Sequence, residues 1–343
     1  NKMAKIMIIG AGVMSCAFSV VCLENNHQTY IIGSDFDNEL IDEIAKKNNF
    51  HPSLNTQLSD KTKFIKSKNL NENNLNDADL IVIGTNSKGM EWSSETLEKI
   101  FINKKLPPIL LLTKGLNVIN NKFELLIEKL SRLLSIKKIE NINISAVAGP
   151  CLASELAAKS HSSVIITNKD IRVCEWLKTI LSTHYYHISI SDDVIGVEVS
   201  AAIKNIFSIA VGSAKELNNN SDKYLNTSAA LFNQSVYEMQ IFVSFLKGRK
   251  ETVNGLAGIG DLHVSAAGGR NSLMGSFLGK GLLYSEVKNN QMKNITIEGA
   301  ELSIEIFNLV KDNFTIKEIP LMFSIMESIV ENKKINIKWE YFV

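Results

Sequence analysis

MAKIMIIGAGVMS, Met3 to Ser15, is the stretch that decides the fold. Met3 to Ile9 is a short apolar run with three isoleucines, the pattern of a strand covered on both faces. Gly10-Ala11-Gly12 follows at once, and from Val13 an apolar helical pattern continues to about Asn25. A strand, a G-x-G and a helix in that order open a dinucleotide-binding unit. The first glycine permits the tight turn, and the second lets backbone approach a pyrophosphate. The helix N-terminus supplies free N–H groups and a positive partial charge. Ser15 stands where the motif usually has a third glycine, and a small residue still allows helix and strand to pack closely.

Working outward, strands and helices alternate. Strands are expected at Gln28–Gly33, near Phe64, and over 80–84, 109–113, 144–148, 164–167 and 185–190. Helices are expected over 37–47, 93–102 and 123–134, and after the Gly149-Pro150 turn. That alternation predicts an α/β unit, a doubly wound and mostly parallel sheet of Rossmann type, reaching to about residue 191. The chain then changes character. Long apolar segments at Val194–Leu217 and Tyr224–Leu246 flank an Asn-rich bend, and only 294–297 still suggests a strand. The second half, 192–343, is expected to be an all-α domain.

The bulk numbers exclude several classes. The chain has 343 residues, 45% hydrophobic and 21% charged, with a formal net charge of +1. That length favours two domains, and the balanced charge gives no case for nucleic acid or an anionic membrane as partner. Four cysteines without CxxC pairing, and no histidines at metal spacing, point to a reduced, cytoplasmic protein without zinc. Two stretches are apolar enough to suggest a membrane. Ile6–Leu23 carries no charge, but its glycines fall where a strand turns into a helix. The 196–212 helix contains Glu198 and Lys204, each costing roughly 2.5 to 3.5 kcal/mol near a bilayer centre. Neither is read as a span.

GVEVSAAIKNIFSIAVG, Gly196 to Gly212, is the most informative apolar segment. Burying the Lys204 ammonium there is costly unless it is paired or used, and a lysine in a dry pocket suits proton transfer. The bland alternative is a stem lying along the core with its head in solvent. Lys114 directly follows the 109–113 strand, and strand carboxyl ends are where such sheets bind ligands. Gly149-Pro150-Cys151 repeats that geometry, with Cys151 read as packed rather than reactive. GLAGIGDLHVSAAGGRN, Gly255 to Asn271, is dense in small residues, and Asp261 is its one carboxylate. Arg270, Asn271 and an expected helix start bring a guanidinium, an amide and free N–H groups together, which suits a phosphate. After the second strand, Ser34-Asp35-Phe36-Asp37 offers two carboxylates and no arginine, favouring NAD(H) over NADP(H).

Together these segments resemble the NAD-dependent glycerol-3-phosphate dehydrogenases. The resemblance rests on GAGVMS (10–15), TKGL (113–116), AGPCLASELA (148–157), the 196–212 and 255–271 segments and IEGA (297–300), in order along nearly the whole chain. It implies a cytoplasmic homodimer that interconverts dihydroxyacetone phosphate and sn-glycerol 3-phosphate for glycerophospholipid synthesis. It also implies roles. Lys204 would be proton donor and acceptor, with Lys114, Asp261 and Ser265 around the reacting carbon. Arg270 and Asn271 would hold the substrate phosphate, with Asn205 and Gly269 also at the substrate and backbone contacts from Gly149 and Cys151. Gly10, Gly12, Val13, Met14, Ser34, Lys114, Ala153, Arg270 and Glu298 would meet the cofactor. The chain departs from the family pattern at Met14, Ser15, Asn86 and Cys151.

Two rivals frame the reading. Another two-domain hydroxyacid or nucleotide-sugar dehydrogenase would need a His–carboxylate pair or a reactive cysteine. His263, two positions from Asp261 and read as lying on a strand, is the one histidine candidate, and it is read as packed or solvated. A catalytically silent NAD-binding sensor would have no use for the lysines, Asp261 and Arg270.

Overall fold

The structure is a computed structural model that describes residues 3–70, 75–101 and 104–343. These residues divide into two compact units. The first comprises Asn1–Lys114 and Leu126–Val194, and the second Gly115–Leu125 and Ile195–Val343.

The strands in chain order are β1 (Lys5–Ile9), β2 (Gln28–Gly33), β3 (Phe50–His51), β4 (Thr56–Gln57), β5 (Thr62–Lys66) and β6 (Leu80–Ile83). Then come β7 (Ile109–Leu111), β8 (Leu116–Ile119), β9 (Lys122–Leu125), β10 (Ile144–Ala148), β11 (Ser162–Thr167) and β12 (Tyr186–Ser191). Eight of them form the sheet of the first unit, in the order β12-β11-β10-β7-β6-β1-β2-β5. From β5 through β10 every neighbouring pair is parallel, whereas β11 runs antiparallel to β10 and parallel to β12. The sheet is thus mostly parallel, as the alternation predicts.

Alternation along β1 shows why the strand is apolar throughout. Ile6 and Ile8 join one core with Phe18, Val21, Leu177 and Tyr186. Met7 and Ile9 join the core on the opposite face with Leu97, Phe101, Leu130 and Leu134. A strand buried on both sides has no polar face to show. Order along the sheet reverses at β1. The chain leaves toward β2 and β5, then returns to β6, β7 and β10 on the other side. At such a switch point the carboxyl ends of adjacent strands diverge and leave a crevice for a ligand.

The second unit is helical apart from one hairpin. Its longest elements are the helices Val194–Gly212, Leu225–Phe245, Glu298–Asn313 and Pro320–Val330. The 194–217 stretch is long and apolar enough to cross a membrane, but 94% of its most apolar window is buried in protein. The hairpin pairs β8 with β9. Phe123 on β9 packs edge-on against Phe242 and Phe245, with ring centroids 5.4 and 6.4 Å apart. Phe314 stacks on Phe242 at 5.3 Å.

Several expected boundaries differ. Phe123–Leu125 was expected to start a helix but lies in β9, and the helix begins at Leu126. The segment 294–297 forms no strand. The helix expected to end at Ile102 runs from Met90 to Phe101, and Ile102 lies outside the described residues. The helix expected from Ser272 starts two residues sooner, at Arg270.

Candidate active site

The candidate residues fall in both units. In the first, the carboxyl ends of β1, β6, β7 and β10, adjacent in the sheet, gather the glycine loop, Gly84-Thr85, Thr113-Lys114 and Gly149. Gly10 has φ +96°, a conformation side chains disfavour, and a Cβ there would lie 2.9 Å from Thr85 Cγ2. Gly12 would meet nothing closer than a backbone oxygen at 3.8 Å, so the loop leaves open the space a pyrophosphate needs. Gly12 caps the helix Val13–Glu24 without a side-chain hydrogen bond, and no acid occupies the first turn. No acid of the helix's own first turn therefore competes for its first N–H groups. These features fit a dinucleotide.

Past β2, the carboxylate of Asp37 folds back. Its Oδ2 accepts from Ser34 N at 2.8 Å, Ser34 Oγ at 2.9 Å and Ala11 N at 3.4 Å. The Ser34 turn is thereby tied to the glycine loop. Asp35 accepts from Ser67 Oγ. At the other strand ends, Lys114 Nζ donates to the carbonyl oxygen of Gly149 at 3.1 Å. Two motifs 35 residues apart are thus one feature, because β7 and β10 are neighbours in the sheet. Gly149 has φ +117°. Cys151 is half-buried, and Ala153 begins the following helix. Asn86 takes φ −72°, within reach of a proline, and its Oδ1 accepts from Gly89 N at 3.0 Å. A capping side chain thus stands in for a rigid ring.

In the second unit, Lys204 Nζ lies 2.8 Å from Asp261 Oδ1 and 2.6 Å from Ser265 Oγ. The side chains of Lys204 and Asp261 are 8% and 4% exposed, so the head of this lysine does not lie in solvent. An ammonium this buried needs a counter-charge, and Asp261 supplies it. Asp261 and Ser265 share one face because they are four apart in the helix Asp261–Ala267. This corrects the strand expected around His263. Two positions along a helix rotate a side chain away, and His263 is exposed. A π-helical turn, Leu256–Gly260, leads into Asp261, a kind of irregularity found often at functional sites.

Glycines let the supporting helices touch through backbone. A Cβ on Gly275 would lie 1.9 Å from Ile209 O, and one on Gly212 would lie 2.4 Å from Ser272 O. The helix Arg270–Gly279 is thereby pressed against the helix that carries Lys204. Its cap, Gly269, has φ +101° and open space around it. Asn271 Nδ2 donates to Asn205 Oδ1 at 3.1 Å, and Asn271 Oδ1 accepts from Gly299 N at 2.8 Å. Arg270 Nη2 is hydrogen-bonded to Glu298 Oε1. Residues named separately in sequence, Asn205, Arg270, Asn271 and Glu298, are thus one cluster in the second unit.

Reading the sequence missed two contributors. Gly299 takes part because a Cβ there would lie 2.3 Å from Asn205 O, and its signal was its place in IEGA. Thr85 buttresses Gly10 and accepts from Thr113 Oγ1 at 2.6 Å through its carbonyl. That link is long-range and leaves no local pattern. Of the two thiols that the sugar-oxidising rival could use, Cys174 is a poor nucleophile, because burial pushes it up to about 11.

Comparison with known proteins identifies the family. Residues 5–174 match the family described as NAD-dependent glycerol-3-phosphate dehydrogenase N-terminus, and residues 193–339 match the corresponding C-terminus. An NADP(+)-dependent glycerol-3-phosphate dehydrogenase of Archaeoglobus fulgidus is 29% identical over 282 residues, covering 82% of each chain. A glycerol-3-phosphate dehydrogenase [NAD(P)+] of Phytoplasma mali is 26% identical, over 97% of this chain and 95% of its own. Among solved structures, a glycerol-3-phosphate dehydrogenase from Plasmodium falciparum superposes with a TM-score of 0.82 at 22% identity, covering 99% of this chain and 95% of that one. With both halves of the family matched in order along nearly the whole chain, the chain belongs to the family of NAD-dependent glycerol-3-phosphate dehydrogenases.

Proposed function

We propose that the chain interconverts dihydroxyacetone phosphate and sn-glycerol 3-phosphate, with Lys204 as the proton donor and acceptor at the substrate oxygen. The observation that carries this is the buried Lys204–Asp261–Ser265 cluster. When bound, the nicotinamide of NAD(P)H supplies the hydride. The chain's own residues handle the proton and the phosphate. Two hydrogen bonds fix the direction of the Lys204 ammonium, so transfer needs no rotamer search. Lys114, at the end of β7, would polarise the carbonyl, and Arg270 with the first turn of its helix would hold the phosphate. Asn271, with both sides of its amide engaged, would set the position of Asn205 and the Glu298 turn. Val13 and Met14 would cover the pyrophosphate. Ala153 and Glu298 would touch the cofactor, and Gly149 and Cys151 would offer backbone to the substrate.

NAD(H) is our choice of cofactor over NADP(H). The Asp37 carboxylate, held against Ala11 and Ser34, would repel a 2′-phosphate at the end of β2. We also place the dinucleotide-binding function in 1–191 and substrate binding in 192–343. We assign the chain to a cytoplasmic homodimer that supplies glycerophospholipid synthesis. Cys16, Cys22 and Cys174, all buried as thiols, support a reducing compartment.

Lys204→Ala tests the reading. Loss of a general acid costs roughly 10² to 10⁴-fold in rate, so kcat should collapse by that much while NADH binding, followed by its fluorescence, stays. Near-normal turnover would remove Lys204 from the role.

A further inference from the structure

The departure at Ser15 leads to an unexpected partner. In the dinucleotide motif the third glycine lets the helix lie close to the sheet. Ser15 occupies that place as the third residue of the helix Val13–Glu24, is 0% exposed, and its hydroxyl has no hydrogen-bond partner. Close packing survives because the missing side chain is on the other side of the contact. Gly84 directly follows β6, the strand beside β1, and a Cβ on it would lie 1.8 Å from Ser15 Oγ and 3.1 Å from Ser15 Cβ.

Gly84 cannot retreat. Its N–H is bonded to Ile9 O at 2.8 Å. The next residue, Thr85, is pinned between Gly10 and the Thr113 hydroxyl. On the other side, Gly10 N is bonded to Ile32 O at 2.7 Å. The Ser15 hydroxyl can swing aside about χ1 but its Cβ, at 3.1 Å, cannot, so an added methyl at Gly84 presses on the first turn of the helix, whose N–H groups are the ones offered to a pyrophosphate.

We propose that Ser15 and Gly84 are a size-matched pair of positioning residues. Together they set where the helix N-terminus stands against the sheet, and so how tightly the dinucleotide is held. Ser15 acts by its volume. The proposal rests on the glycine loop being the dinucleotide site.

NADH fluorescence titration and thermal unfolding of Gly84→Ala, Ser15→Gly and Ser15→Gly/Gly84→Ala, beside the unaltered chain, test it. Overpacking of this size should weaken NADH binding of Gly84→Ala by at least about tenfold. Ser15→Gly, which only opens a void, should lose less. The double variant should recover most of the affinity and the unfolding temperature lost by Gly84→Ala. If Gly84→Ala does not fold, the double variant decides. Its folding with near-normal NADH affinity supports the pair, and its failure overturns it. A lowered unfolding temperature with unchanged NADH affinity in Gly84→Ala would leave only a packing role and overturn the proposal. No NADH binding by the unaltered chain would overturn the site assignment beneath it.

Discussion

Asp261 and Glu238 are two carboxylates buried in the same unit by opposite means. Asp261 faces a cation, Lys204 Nζ at 2.8 Å. Glu238, also fully buried, faces only neutral donors: Leu321 N at 2.6 Å, Met322 N at 2.8 Å and Gln234 Nε2 at 2.9 Å. It caps the buried start of the helix Pro320–Val330, satisfying N–H groups that no helix can satisfy for itself. Burial holds its carboxyl up at about 7, against an ordinary 4.5. A carboxylate matched by a charge keeps a buried cation in place, whereas one matched by amide dipoles holds the fold together.

The largest effect that would sharpen this contrast comes from Asp261→Asn, which keeps the shape and removes the charge. Uncompensated, Lys204 should lose its orientation, and kcat should fall by about 10²-fold or more. Steady-state kinetics check this, and a change under threefold would break the comparison on the catalytic side. Glu238→Ala should do the reverse. Leaving two buried backbone N–H groups without acceptors should cost about 2 to 4 kcal/mol in denaturant unfolding, with kcat per folded molecule little changed.

A pH series reads the same contrast more finely. The folded state raises the Glu238 pKa from 4.5 to about 7, so it binds that proton more tightly than the unfolded chain does. The stability this contributes is complete below the unfolded value and is lost as pH rises through about 7. Between about pH 5 and pH 8 the unaltered chain should lose up to about 3 kcal/mol that Glu238→Gln does not. Parallel denaturation curves would refute it. The smallest effect belongs to the exposed pair. Arg270 and Glu298 are 55% and 39% exposed, so Glu298→Gln should change unfolding free energy by less than about 1 kcal/mol.

Much of this was readable from sequence, for identifiable reasons. β2 runs from Gln28 to Gly33 as expected, and β1 starts only two residues after the expected Met3. A strand buried on both faces writes itself as an unbroken apolar run bounded by turn residues. The reversal of β11 left no such trace, because strand direction depends on what happens between strands and not within them. The β8–β9 hairpin was lost because four alternating residues, Lys122 to Leu125, merge into the apolar pattern of the helix at Leu126. His263 was misplaced because glycine density around a π-helical turn hides helical periodicity. In the site, Lys204 stood out as a charge in greasy surroundings. Glu238 carried the same signal, with Gln234 four residues before it, yet it sits in a helix with more polar residues and was overlooked. Gly84 was illegible, since its meaning depends on Ser15, 69 positions away.

The glycine crossing between the Lys204 helix and the helix that begins at Arg270 has a consequence for selectivity. With Gly275 against Ile209 and Gly212 against Ser272, backbone meets backbone and neither helix can slide. The helices that carry Lys204 and Arg270 are consequently held like the two arms of a fixed caliper. With the roles proposed for Lys204 and Arg270, a phosphate ester one carbon shorter or longer should put its carbonyl out of register with the amine, however well its phosphate is gripped.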